Sequence, residues 1–247
     1  MSSEDQIVLY DIPSVPPCKT WSLNPWKTRL LLNYKGLNYR TEWTEYPDIK
    51  PKLQDHVPPA KSPLGIEYSS PAITLPDGTW IMDSRAIANE IEKRHPTPSV
   101  HLDSPVLSKI EEIMTKIMPA LVGIYVPLVP QRLLNEASHP HWYKTRPVWV
   151  GMPLDQLQRE RGGQKAWDGA KPYIDEVTKM LKEDQSGPYF LGKEISYADF
   201  VWAGYLIFMQ RIGQDVWEDL MRTAGADAEV HGKLLLGLDQ WTARSDK

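Results

Sequence analysis

Three short stretches of this 247-residue chain bring hydroxyls, carboxylates and helix starts together in ways that suit the holding of an anion. Ser22 and Asn24 stand just ahead of Pro25, and Asn followed by Pro is a strong helix-start signal. The first turn of a helix carries unsatisfied N–H groups and a partial positive charge, so a hydroxyl or amide there adds to a ready-made anion site. The bland alternative is that Asn24 simply caps the helix and Ser22 is an exposed loop residue. Asp83-Ser84 opens a second helical run, where either residue is a natural cap. Ser70-Pro71 precedes a short apolar run, the usual place for a strand-initiating proline.

The elements that must position these residues follow from periodicity and breakers. Residues 7–12 form a short apolar run that reads as a buried strand, and a helical stripe from Leu30 to Tyr34 ends at Gly36. Residues 39–46 read as a second strand, and 47–70 as a loop with at most a short helix. Residues 72–75 and 79–82 flank Pro76-Asp77-Gly78 as a hairpin, and a helix runs from Ser84 to just before Pro96. A Pro-, Ser- and Thr-rich linker over 96–105 separates this α/β half (1–95) from a second half (106–247) with no convincing strand. Helices are expected there over 106–134, 154–181, 197–212 and 228–241, the first kinked by Pro119, Pro127 and Pro130.

Composition excludes several classes. Lys and Arg are scattered among acids at a net charge of −4, against the basic patch that nucleic-acid binding needs. The apolar stretch 118–130 is too short to span a bilayer, and the first residues lack the features of a signal peptide, so no membrane association and a cytoplasmic location are expected. Cys18 is the single cysteine, which rules out an internal disulfide and a cysteine-based zinc site. Lys19 beside it would favour its thiolate, but no base is in sight. The six histidines show no metal spacing, His139 and His141 forming at best a weak surface pair, so no metal is expected. Ten tryptophans and eleven tyrosines against three phenylalanines suggest aromatic surfaces with polar tips, as in a binding cleft or in core packing.

The local motifs add a resemblance that covers nearly the whole chain. Trp21-Ser22-Leu23-Asn24-Pro25-Trp26-Lys27-Thr28-Arg29, followed by Leu-Leu-Leu-Asn-Tyr-Lys-Gly-Leu, resembles the first-helix start of glutathione transferases. It is most similar to the fungal-specific FuA class and to bacterial β-etherases. Ser70-Pro71-Ala72-Ile73 and the later Asp83-Ser84 are similar to that superfamily's cis-proline strand and acid-Ser pair. Residues 190–199, ending in Ser196-Tyr197-Ala198-Asp199, resemble the capping signature of its helical half. Two departures stand out: the connection over 13–24 is long, and Pro25 takes the place of the second cysteine of the pattern, which excludes thiol exchange through that position.

The resemblance implies a thioredoxin-like domain followed by an all-helical domain, glutathione as co-substrate, and a homodimer. It casts Ser22 as the thiolate-stabilising residue, with Asn24 as a second donor. A cis Ser70-Pro71 bond would turn the Ser70 backbone toward the cysteinyl part of glutathione. Ser84 and the helix start would hold the γ-glutamyl carboxylate, with Asp83 on its ammonium. Lys52, Gln54 and His56 are candidates for the glycine end. Met118, Leu121, Val122 and Tyr125 would face an apolar second substrate. Ser196 and Asp199 are structural caps. Three activities fit: conjugation of glutathione to electrophilic aromatic molecules or reduction of organic peroxides, ligandin-like sequestration of polyphenols, and β-aryl ether cleavage.

Overall fold

The computed structural model describes residues 6–17, 20–62 and 65–244. Strand β1 (Ile7–Asp11) runs through the centre of a four-stranded mixed sheet, parallel to β2 (Tyr39–Trp43) and antiparallel to β3 (Ala72–Thr74), which pairs with β4 (Trp80–Met82). Leu9 sits opposite Thr41 on one side and Ile73 on the other, and Leu9 and Ile73 are fully buried. A strand covered on both faces needs a nearly continuous apolar run, which is what residues 7–10 supply. Helices α1 (Leu23–Tyr34), α2 (Tyr46–Leu53) and α3 (Ser84–Arg94) complete a thioredoxin-like unit.

Helix α1 begins two residues earlier than the Asn-Pro signal implies. Ser22 is the N-cap in extended conformation, and its carbonyl accepts from the Trp26 N–H at 3.1 Å. Asn24 is therefore inside the first turn and does not cap. Pro25 fits there because first-turn residues have no helical acceptor for an N–H.

The second half is helical: α4 (Pro105–Ala120), α5 (Val122–Arg132), α6 (His139–Val150), α7 (Leu154–Arg161), α8 (Gly163–Leu181), α9 (Tyr197–Ile212), α10 (Gln214–Ala224), α11 (Glu229–Gly237) and α12 (Asp239–Thr242). The expected kink is a 75° break at Leu121, two residues after Pro119, while Pro127 and Pro130 stay inside α5. The stretch expected as one helix over 154–181 is two, parted at Gly162-Gly163. A Cβ at Gly162 would lie 2.9 Å from the Gly123 carbonyl, and one at Gly123 only 2.2 Å from the Arg161 carbonyl. Backbone contact between α5 and α7 thus requires glycine on both sides. The run over 228–241 likewise divides at Leu238. Helices α6 and α10 were not expected. Alone among the described residues, no single helix is long and apolar enough to cross a membrane, and the bent pair α4–α5 buries its apolar faces inside the fold.

The halves are joined along α1 and α9. Gly204 on α9 lets the α1 backbone approach, since a Cβ there would sit 2.8 Å from the Leu23 carbonyl. Asp199 accepts from Ser196 N (2.7 Å), Ser196 Oγ (2.7 Å) and Phe190 N (2.9 Å), fixing the start of α9. Burial pushes its carboxyl up to about 6, which leaves it ionised at neutral pH. Tyr197 then donates its hydroxyl to the Ser84 carbonyl at 2.9 Å, tying α9 to the start of α3.

Two buried polar clusters carry testable energetics. Arg29 of α1 donates Nε to Asp11 Oδ2 and Nη2 to Thr41 Oγ1, both at 2.9 Å, with Arg29 fully buried and Asp11 nearly so. Burial pushes the Asp11 carboxyl up and Arg29 draws it back; without the carboxylate the guanidinium would be an unpaired charge in the interior. Arg29→Met is expected to destabilise by about 3–5 kcal/mol, and adding Asp11→Leu is expected to restore most of it, both read as urea-unfolding midpoints. His231, fully buried, accepts from Trp202 Nε1 at 3.1 Å and meets Thr178 Oγ1 at 3.0 Å. The Thr178 hydroxyl itself donates to Ile174 O, so the ring is a neutral donor–acceptor. Burial lowers its pKa from 6.5 to about 4. The unfolded chain therefore takes up a proton that the folded chain refuses, and the His231 contribution falls away as pH drops from 6.5 toward 4, by about 3 kcal/mol in all. Asp199 acts in the opposite sense between 3.8 and about 6. The stability difference between wild type and His231→Gln, followed against pH, isolates the histidine and should narrow as the medium is acidified.

Candidate functional site

Two cavities meet at the N-terminus of α1. The larger, about 690 Å³, is lined by Ser22 and Asn24 together with Ser70, Lys50, Glu67 and residues of α6. The smaller, about 340 Å³, lies between α1, α4 and α9, with Trp21, Lys27, Met114, Met118, Tyr125 and Phe208 in its walls. Ser22, Asn24, Tyr46, Arg146 and Trp149 line both. Ser22 caps α1 through its backbone alone; its hydroxyl makes no capping hydrogen bond.

The expected partners of Ser22 fall in different places. Ser70 lines the larger cavity, precedes a cis bond to Pro71, and donates its hydroxyl to the Tyr10 carbonyl at 2.9 Å. The Pro71 carbonyl accepts from Asp83 N at 3.1 Å, so the strand and the start of α3 are held together. Asp83 is the cap of α3, its Oδ1 accepting from Arg85 N (2.9 Å) and Ala86 N (3.1 Å) at a backbone φ of +86°. That conformation is uncommon outside glycine and marks a constrained position. Ser84 is buried as the first residue of α3. Asp83 and Ser84 adjoin the Ser70–Pro71 edge without lining either cavity.

The glycine-end candidates are not brought to the cavity. His56 stacks face to face on Trp80, 4.1 Å between centroids, and Gln54 ends α2 in solvent. Lys52 pairs with Glu42 and lies over the Tyr10 ring. Lys50 lines the larger cavity instead, paired with Glu67 at 2.6 Å. A helix over 46–53 with Ile49 and Leu53 inward would have pointed to it; two prolines in that stretch obscured the helix.

Of the expected second-substrate residues, Met118 and Tyr125 line the smaller cavity. Leu121 and Val122 do not: both are buried at the α4–α5 break and pack into the core. Burial raises the Tyr125 hydroxyl, which is neutral throughout the physiological range. Cys18 lies outside the described residues. His139 meets the Leu134 carbonyl and His141 lines the larger cavity; among the described residues no cluster of three His, Cys, Asp or Glu could hold a metal.

Sequence reasoning missed α6, the wall that closes both cavities. Trp142 anchors it by donating to the Val126 carbonyl at 3.0 Å, and Ser138 donates to Glu45 while accepting from Tyr46 N at 3.0 Å. Arg146 lies 4.2 Å from the centroid of Trp142, 5.2 Å from Tyr46 and 5.4 Å from Trp149. The rings hold this cation by their negative faces. Burial raises the Tyr46 hydroxyl, and Arg146 opposes the rise. Lys27, one turn into α1, is half-buried; burial lowers its ammonium to about 8, with Asp83 and Glu111 opposing.

The chain matches two family models, Glutathione S-transferase, N-terminal domain, over residues 21–94, and Glutathione S-transferase, C-terminal domain, over 110–234. It is 30% identical over 238 residues to the glutathione S-transferase-like protein ustS of Aspergillus flavus, covering 89% of this chain and 86% of that one. Among solved structures it is similar to the glutathione S-transferase CsGST63524 of Ceriporiopsis subvermispora in complex with glutathione (29% identity, TM-score 0.79, 96% and 97% of the two chains). Glutathione transferase GSTFuA3 of Phanerochaete chrysosporium superposes with a TM-score of 0.80 at 26% identity over the same shares. The fold and these likenesses agree: the chain belongs to the glutathione S-transferase family.

Proposed function

We propose that this chain is a serine-type glutathione transferase in which Ser22 holds the glutathione sulfur as its thiolate for attack on an electrophilic aromatic molecule in the smaller cavity. The observation that carries the reading is the position of Ser22: an N-cap whose hydroxyl makes no capping bond, on the wall common to both cavities.

A thiol is a few per cent ionised near neutral pH, and lowering its pKa by two units requires about 2.7 kcal/mol of preference for the anion. A hydroxyl donating to a charged atom supplies about 1.5–3 kcal/mol, and a helix N-terminus about 0.3–1 kcal/mol. Together these suffice, with Asn24 as an additional donor. Glutathione then lies along the larger cavity. Its cysteinyl backbone pairs with Ser70 beside Pro71, its γ-glutamyl end reaches Asp83 and Ser84, and its glycine carboxylate meets Lys50 or Arg146. Holding both reactants at Ser22 adds proximity to the reactivity of the thiolate.

A second reading, a binder of aromatic compounds with little turnover, has its own support in the aromatic walls of the smaller cavity. Ser22→Ala separates the two. Conjugation of a chloro-nitro aromatic should fall roughly 10–100-fold in kcat/KM, the loss of one charge-assisted hydrogen bond, and the acidic limb of the pH–rate profile should move toward the pKa of free glutathione. Wild-type protein that binds the aromatic ligand but fails both to turn it over and to bind glutathione in a direct titration would remove the transferase reading.

A further inference from the structure

The smaller cavity has an electrical character that its aromatic walls conceal. Its charged lining side chains are Lys27 and Arg146, and no carboxylate lines it. Arg146 is already held among three rings. Lys27 is different: among the described residues no hydrogen bond or ion pair to its Nζ is found, and the carboxylates that act on it electrostatically, Asp83 at the cap of α3 and Glu111 of α4, do not line the cavity. Its stem is laid against α9, where Gly204 leaves room for Cγ (a Cβ there would be 3.5 Å away), and the residue forms part of the cavity wall.

We propose that Lys27 is a specificity residue that makes the smaller cavity a site for aromatic acceptors or ligands carrying an anionic group, such as a carboxylate, a sulfonate or an ionised phenol. The inference rests on the assignment of the larger cavity to glutathione. With the glycine carboxylate on Lys50 and the thiolate at Ser22, Lys27 and Arg146 face one negative charge, and one positive charge remains for the second ligand. A half-buried ammonium without a partner is costly, and an anion delivered on an aromatic ring relieves that cost while the ring fills the apolar space between Met114, Met118 and Phe208. The groups facing Lys27 are Asp83 and Glu111, which favour its charged form, and Arg146 and the neutral Tyr46 and Tyr125 across the cavity. Since its ammonium titrates at about 8, the preference for anions is present at neutral pH and is lost as the pH rises through that value.

The test uses an aryl vinyl ketone bearing a carboxylate and its methyl ester. Binding is read by quenching of the tryptophans that line the cavity, and turnover with glutathione by kcat/KM. Wild type should bind the acid roughly tenfold more tightly than the ester near pH 7, Lys27→Met should lower the ratio several-fold, leaving only the contribution of Arg146, and Lys27→Arg should keep it. Above pH 8 the wild-type ratio should decline while that of Lys27→Arg should not. A wild-type ratio near one, or a ratio unchanged in Lys27→Met, overturns the proposal. So does a shift in thiolate formation by bound glutathione, followed by ultraviolet absorbance without acceptor, if the acid-to-ester ratio stays unchanged in Lys27→Met. Failure of wild type to bind glutathione would instead defeat the transferase reading, and the binding ratios of acid and ester would still decide the role of Lys27.

Discussion

Arg29 is fully buried, yet its guanidinium is committed to one strand and one threonine: Asp11 at the end of β1 and Thr41 on β2. A charge in the interior tolerates few alternative geometries, because any shift leaves it unpaired. The bond therefore fixes the rotation and height of α1 on the sheet. Seven residues toward the N-terminus of the same helix lies Ser22, and the opposite face of the helix is pressed on α9 at Gly204. The position of the hydroxyl in the cavities is thus set by one ion pair and one backbone approach, neither of which touches a ligand.

The other side of the site depends on aromatic chemistry with a polar component. Trp142 reaches its backbone acceptor on α5, Trp21 donates to the Pro13 carbonyl at 3.2 Å, and Tyr46 stacks beside His141. Phenylalanine in place of either tryptophan would fill the same space without these hydrogen bonds. The excess of Trp and Tyr over Phe is in this region a way of building rigid walls from rings anchored at their edges. Arg146 adds a cation to that wall at the junction of the two cavities.

Much of the thioredoxin-like half was legible because strand runs, the Pro76-Asp77-Gly78 turn and the Pro96 stop each obey local rules. The placement of Ser22 at a helix start and of Ser70 just ahead of a strand was legible for the same reason. Asn24 was misread as a cap because Pro25 suits the third helical position as well as the first. Helix α6 was invisible: its buried residue is Trp142, Trp149 faces the cavities, Tyr143 is exposed, and periodicity reports burial against a core. Helix α10 did carry a signal, Val216, Leu220 and Ala224 at four-residue spacing, which was overlooked. The break at Gly162 answers to a neighbouring backbone at Gly123, and no local rule contains that contact.

The five residues common to the two cavities have a thermodynamic meaning. A wall shared by two occupants cannot respond to one without altering what it offers the other. Any rearrangement of Trp149 or Arg146 made for the first ligand is encountered by the second as a changed affinity, and linkage requires the factor to be the same in both directions. Under the proposed function, glutathione and an aromatic molecule would be joint tenants of a single surface, and part of the free energy with which each reads the presence of the other would be a property of that surface.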